Sequence, residues 1–481
     1  MNHVSMPIRA QPFDHQHRAY ATAIDTFYSG RSRGYALLME MGCGKSLTAI
    51  SIAGRLYLDG KVRRVLVAAP LSIVGVWDEE FAKFADFDYT LAVLNGSGAK
   101  KAETLKNLDW YKLRGNNEPP PLAVAVVNYE SAWRLEKEIA AWKPDLVIAD
   151  EGHKIKTHNI SASKAMHRLG ASAAYKLLLT GTVITNKAID VFSQYKFLNP
   201  AVFGSSFYSF RNRYFDMVGY GNHTPVLKKS MAEELTRRLH SIAFRATKAE
   251  CLDLPETTDI IRTVELEPSA MKVYRDLVKE SYAELGEKEI TVANVLTRLL
   301  RLSQLTGGFI GDDEGGTPQN ISRAKLNALS DILEMVQQEG KKLVIIARFV
   351  AEIKAICTML GKMGVGYSLI MGGVTDRDDQ VTRFQTDPDI QVFVGQIATA
   401  GLGITLTAAS TLVFYSTDYS MSNHEQAKAR IHRVGQKENC TYIYLTAKGT
   451  VDEKVLKALR NKANLARMLV DDYRSGRNPY Q

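Results

Sequence analysis

Cysteine is scarce: the 481 residues hold four, Cys43, Cys251, Cys357 and Cys440. They are scattered and show no metal-ligand spacing, so reduced structural thiols in a reducing compartment are expected. No apolar run is long enough to cross a bilayer, so a membrane is not an expected partner. The N-terminal stretch MNHVSMPIRAQPFDH lacks the charged-then-apolar pattern of a secretion signal. Low-complexity tracts and short-period repeats are also missing, which excludes a linker-dominated chain and a solenoid. With no address in the sequence, the expected location is the compartment of synthesis.

What is present is ordinary soluble chemistry, 45% hydrophobic and 23% charged, in a chain too long for one core. The net charge of +9 permits a polyanionic partner. In the first half YALLME, RRVLVAAP, PLAVAVVNY, DLVIAD and YKLLLTGT read as buried strands of a parallel sheet. Amphipathic segments lie between them, such as SLTAISIAGRLYLDG with Gly60 as its stop. The second half repeats the pattern in KKLVIIA, GYSLIM, IQVFVGQI, TLVFYS and CTYIYLTA. The prediction is an α/β chain of two doubly wound parallel-sheet domains, residues 1–250 and 251–481. From about Phe203 to Ile310 strands are expected to give way to helical insertions, with CLDLPETTD as an irregular join. The terminal GTVDEKVLKALRNKANLARMLVDD reads as a long brace helix.

Three constellations carry chemistry. In GYALLMEMGCGKSLTAI a strand-like run meets Met41, Gly42, Cys43, Gly44, Lys45 and Ser46. Glycines there let backbone N–H groups approach phosphates, Lys45 reaches the β/γ oxygens, and Ser46 is a Mg²⁺ ligand. Met39 stands where the common pattern has its first glycine. In DLVIADEGHKIK, Asp150 and Glu151 close a strand; the first suits a hydrated Mg²⁺ and the second can polarise the attacking water. In QAKARIHRVGQ, Gln426, Arg430 and Arg433 fall on one helical face by spacing, and a guanidinium fork suits a γ-phosphate in transfer. Singly, each has a bland reading: a chance GKS, an acidic strand end, a solvated basic helix. Together they form the cation, metal and carboxylate set that phosphoryl transfer needs.

Over nearly the whole chain the motifs resemble the Swi/Snf family of superfamily-two helicase-like ATPases. FDHQHRAY resembles its adenine-reading segment with Gln16 as reader, and MEMGCGKS its phosphate loop. VLVAAPLSIVGVWDEEFAKF, VVNYESAW, DEGHKIK, LLLTGTVITN, FGSSFYSFRNRYF, FRATK with DLPE, GLGITLTAAS and QAKARIHRVGQ follow in family order. Val183 and Thr185 depart from the usual third-motif residues, the GLGITLTAAS segment lacks a frequent arginine, and STDYSMSN keeps only Asp418 of another run. The missing arginine leans toward the fork-remodelling, strand-annealing branch.

The resemblance implies two RecA-like lobes with ATP and Mg²⁺ between them, Gln426 and Gly403 joining the nucleotide contacts, and Arg430 and Arg433 acting as fingers. It implies a monomeric translocase on double-stranded or branched DNA that does not processively separate strands. Ser72, Asn128, Lys156, Arg348 and Thr399 are the implied contacts to DNA phosphates, with Lys228, Lys229, Arg237 and Arg238 adding charge. Replication, repair or transcription proteins are the implied partners. The compact plan points to a bacterial or viral cytoplasm, or to the nucleus if eukaryotic. A strand-separating DNA or RNA helicase, and an ATP-driven remover of proteins such as RNA polymerase from DNA, stand as alternatives.

Overall fold

The computed structural model describes residues 5–108, 120–181, 184, 187–218, 224–251, 254–287, 292–310, 318–374, 376–397 and 404–466, without the side chains of 72, 280–296, 298 and 463–466. The chain divides into two compact units, the first spanning residues 1–253 and the second Leu254–Asn461, with residues from Lys462 grouped with the first.

The first unit contains β1 (Gly34–Met39), β2 (Arg64–Ala69), β3 (Tyr89–Val93), β4 (Leu122–Asn128), β5 (Leu146–Asp150), β6 (Tyr175–Leu179), β7 (Phe215–Val218), β8 (Thr224–Leu227) and β9 (Ala243–Ala246). Seven of them form one sheet in the order β3-β4-β2-β5-β6-β1-β9. Every pairing in it is parallel. Helices on both faces bury the strands, which is why β1 and β5 are apolar without alternation up to Asp150. β7 and β8 make a separate antiparallel hairpin. Helix Lys45–Leu58 ends where Gly60 takes φ +69, the left-handed turn expected of a C-terminal glycine.

The second unit contains β10 (Thr257–Val264), β11 (Phe309–Ile310), β12 (Gln319–Asn320), β13 (Lys342–Ala347), β14 (Gly366–Ile370), β15 (Ile390–Gln396), β16 (Ala409–Phe414) and β17 (Cys440–Ala447). Its sheet runs β10-β17-β16-β13-β15-β14, again wholly parallel. Alternate residues of β13 serve two cores: Val344 and Ile346 pack on one, Leu343, Ile345 and Ala347 on the other.

One expectation is corrected. The 203–310 region is not nearly strand-free, for β7–β11 all start there, and β10 begins inside the presumed irregular join. β10 is exposed along most of its length and carries Thr, Asp and Arg among its residues. As an edge strand it buries no continuous apolar face, so it gives no hydrophobic signal. The terminal segment is helical over Val451–Ala466; the rest of the predicted brace lies outside the described residues. No described helix is long and apolar enough to cross a membrane.

Candidate active site

The C-terminal ends of β1, β5 and β6 assemble the first unit's candidate site. Register pairs Asp150 with Leu179, and Leu179 with Leu37, so the carboxylate lies level with the end of β1 two strands away. Beyond β1 the chain turns through Gly42 (φ +87) and Gly44 (φ +84) into helix Lys45–Leu58. Both angles are left-handed, which only glycine adopts without strain. A Cβ on Gly44 would also stand 2.2 Å from Gln16 Nε2.

Gln16 is buried against this loop: its Nε2 donates to the Cys43 carbonyl at 3.2 Å, while its Oε1 accepts Phe13 N–H at 3.0 Å. His15 Nε2 lies 2.8 Å from the same Cys43 oxygen. The Cys43 thiol is buried, and burial pushes it up to about 12, so it is an inert filler and not a nucleophile. Lys45 Nζ donates to the carbonyls of Met39 (3.0 Å) and Glu40 (3.5 Å). Ser46 follows in the helix's first turn, with Met41 ahead in the loop.

Asp150 and Glu151 are both buried. Desolvation first, then the Glu151 charge, pushes Asp150 up to about 7; Lys45 and the Trp77 indole pull the other way. Trp77 Nε1 donates to Asp150 Oδ2 at 3.0 Å, and Tyr129 OH donates to the Asp150 carbonyl at 2.6 Å. Glu151 N–H donates to Asp150 Oδ1 at 2.8 Å. Glu151 itself has φ +48, a left-handed angle that strains a residue with a Cβ. His153 Nδ1 is 3.1 Å from Glu151 Oε2, which ties this imidazole to the acid pair. Trp77 is a core residue at 2% exposure, and its one polar atom holds Asp150, a contact that no local pattern in the sequence announces.

In the second unit, Gln426 and Arg430 lie buried on helix Met421–Ile431. Arg433 does not share that face as its spacing suggested: the helix stops at Ile431 and Arg433 sits in the following turn. The two guanidinium groups still converge, both donating to the Ile404 carbonyl, at 3.4 and 3.3 Å. Buried Gln436 builds the turn by donating to the carbonyls of Ala409 (2.8 Å) and Ile431 (3.1 Å). His432 Nε2 lies 2.9 Å from the Pro255 carbonyl, an orienting contact.

The residues implied as DNA contacts fall in both units. Asn128 Oδ1 caps helix Tyr129–Arg134 by accepting Ser131 N–H at 2.8 Å. Lys156 is half-buried, and burial lowers its ammonium. Arg348 follows β13, its N–H donating to Ser416 Oγ at 2.8 Å. Ser72 sits in a short turn with its side chain undescribed; Thr399, Gly403, Val183 and Thr185 lie outside the described residues. Arg237 and Arg238 line, with Arg31, a cleft beside the starts of β1 and β9, at the opposite end of β1 from the phosphate loop. Lys228 is tied to the Asn212 carbonyl, and Lys229 is exposed. Among the described residues no three His, Cys, Asp or Glu gather as a preformed metal cage.

Residues 15–307 match the family model of the SNF2-related domain, and residues 324–435 that of the helicase conserved C-terminal domain. The chain is 25% identical over 484 residues to the DNA repair and recombination protein RDH54 of Saccharomyces cerevisiae (strain ATCC 204508 / S288c), covering 91% of this chain and 50% of that protein. It is 25% identical over 489 residues to the DNA repair and recombination protein RAD54-like of Drosophila yakuba, covering 93% and 61%. The chain thus spans about half the length of the first of these curated relatives. Among solved structures, the Sulfolobus solfataricus SWI2/SNF2 ATPase core in complex with dsDNA is 25% identical, covering 100% of this chain and 96% of that one, with a TM-score of 0.45.

Proposed function

The chain belongs to the SNF2-related (Swi/Snf) family, and from that premise we propose that it hydrolyses ATP to move along double-stranded or branched DNA without processive strand separation. The observation that carries the reading is the pairing, at the ends of adjacent-but-one strands, of a glycine-turned loop bearing Lys45 with a buried carboxylate pair whose charge Lys45 partly offsets. Such a pair, held at a cost in burial and like charge, suits a cation and an attacking water.

In this reading Gln16 sets the loop's edge, the amides of residues 41–46 and Lys45 bind the phosphates, and Glu151 orients the water. Ser46 and Asp150 are the residues that would hold Mg²⁺; a carboxylate raised by burial and a like charge gains from a bound cation, so the donors fit. When bound, Mg²⁺ neutralises charge on the phosphoryl group in transfer. Trp77 and Tyr129 keep Asp150 aimed. Arg430 and Arg433, gathered on one carbonyl, are the fingers that would stabilise the transferring group. The relatives named for DNA repair and recombination, together with the chain's positive charge, support DNA as the polymer moved. Recognition through phosphates makes the grip largely indifferent to sequence.

The test compares ATP turnover on duplex, forked and single-stranded DNA and on RNA, beside displacement of a triplex-forming strand from a blunt duplex. Duplex or forked DNA should stimulate far more than RNA, and the third strand should leave while the duplex stays paired. Affinity should fall roughly tenfold or more from about 50 to about 200 mM salt. Efficient separation of the blunt duplex without triplex displacement would overturn the proposal in favour of a conventional helicase.

A further inference from the structure

FRATK and LLLTGT were singled out by the sequence yet have no part in the chemistry above, and the structure brings them together at Arg245. This arginine belongs to β9, the four-residue edge strand beside β1. Its side chain is only 6% exposed. One guanidinium nitrogen donates to the carbonyls of Leu38 (3.2 Å) and Gly181 (3.1 Å), and another to Glu40 Oε1 at 3.0 Å. The planar fork serves these acceptors from separate, rigidly spaced nitrogens, a reach that lysine, with all its donors on one nitrogen, does not reproduce. Gly181 packs close: a Cβ there would lie 3.6 Å from the Glu40 Cα.

Glu40 is the other half of the joint, and all its polar groups are committed. Its N–H donates to the Ala246 carbonyl at 2.9 Å, and its Oε2 accepts Lys248 N–H at 2.9 Å. Its carbonyl accepts the loop's Cys43 N–H at 3.1 Å and lies 3.5 Å from Lys45 Nζ, the cation assigned to the phosphates, whose shorter bond, 3.0 Å, is to the preceding Met39 carbonyl. The residue entering the phosphate loop is therefore bonded on one side to the loop's lysine and on the other to residues 245–248. Helix Lys248–Cys251 follows in the sequence, ahead of the second unit, which begins at Leu254.

We propose that Arg245 is a positioning residue for the phosphate loop, and that its joint with Glu40 makes the segment 245–251 respond to nucleotide. Phosphates compete with the Met39 and Glu40 carbonyls for the Lys45 ammonium, so binding alters the Met39–Glu40 peptide, whose N–H is held by the Ala246 carbonyl. The Arg245 fork and the Lys248 amide carry that change to the chain leaving the unit. The inference rests on the ATP-driven reading.

Hydrogen exchange read by mass spectrometry on the whole chain, with and without a non-hydrolysable Mg²⁺–ATP analogue, tests it. In the wild type the analogue should slow exchange both at residues 41–46 and, by about threefold or more, at 246–251. In Glu40→Gln, chosen because this side chain is partly exposed and the change is isosteric, slowing at 41–46 should persist while that at 246–251 is lost. Equal slowing of 246–251 in both proteins, or none in the wild type despite protection at 41–46, overturns the proposal. No protection at 41–46 in the wild type overturns the ATP reading and the joint with it. A double-mutant cycle gives a second measure. Glu40→Gln with Arg245→Lys should lower DNA-stimulated turnover about as far as either change alone, whereas additive losses would mean two separate structural contacts.

Discussion

The two units surround their buried carboxylates with different neighbours. In the second, Glu352 is buried, and its Oε2 accepts Ser416 Oγ together with the Arg348 (3.2 Å) and Phe349 (3.0 Å) amides. Asp452 pairs with buried Lys325 at 2.7 Å and also accepts Thr306 Oγ1 and the Ala447 amide. In the first, Asp150 faces another carboxylate, which with burial raises its proton affinity. Burial raises the proton affinity of Glu352 as well as of Asp150; the difference lies in the neighbouring charge, since Lys325 opposes the rise at Glu352 while Glu151 adds to it at Asp150. The backbone repeats the contrast, since one of the two described non-glycine residues with positive φ is Glu151.

Substitutions should separate the two kinds. Glu151→Gln removes the group that orients water and should lower ATP turnover by about a hundredfold or more while leaving nucleotide binding. Arg433→Ala should cut turnover about tenfold or more with ATP affinity little changed, because a finger acts on the transferring group. Steady-state turnover beside direct nucleotide titration checks both; near-normal turnover in Glu151→Gln would erase the contrast. In the second unit Glu352→Ala leaves the Phe349 amide and the Ser416 hydroxyl without their acceptor, while the Arg348 amide keeps Ser416 Oγ. It should cost about 2–4 kcal/mol in denaturant unfolding of that unit, with no change specific to the chemical step.

The smallest effect is the most diagnostic. Because folding raises the Asp150 proton affinity, the native protein binds the extra proton. Asp150's contribution is therefore best below the ordinary carboxylate range and is lost as pH rises toward about 7. Asp150→Asn should then raise the melting temperature by about 2–6 °C above pH 7, the gain shrinking as pH falls toward about 4. Scanning calorimetry across that window checks it, and a pH-independent gain would mean the aspartate is not strained.

Much of this was legible in order along the chain. Buried parallel strands have continuous apolar runs, and ten of them stand where those runs lie. The phosphate loop and the Asp150–Glu151 pair are local patterns, so their placement followed from the strands before them. What escaped was either polar or distant. β10 has an exposed face and no run, and β9 is four residues long. Trp77 meets Asp150 across 73 residues, and Arg245 meets Glu40 across 205. Nothing in local periodicity announces such pairings, since only the strand order brings them together. The Arg433 position was misjudged because helical spacing continues on paper after the backbone has turned.

That strand order also sets a timetable. β1 is made before the other strands of its sheet, yet in the finished sheet it lies between β6 and β9. The Arg245 fork that grips the Leu38 carbonyl is translated 207 residues after it. At roughly 5–20 residues per second, about ten to forty seconds pass before that bond can form. Until β6 (Tyr175–Leu179) is made this buried strand has neither neighbour, and from then until β9 is made one of its amide edges stays open to any other extended chain. The nucleotide loop is thus encoded early and completed late, and the newborn first half is the stage at which a chaperone, or an aggregate, would find this protein.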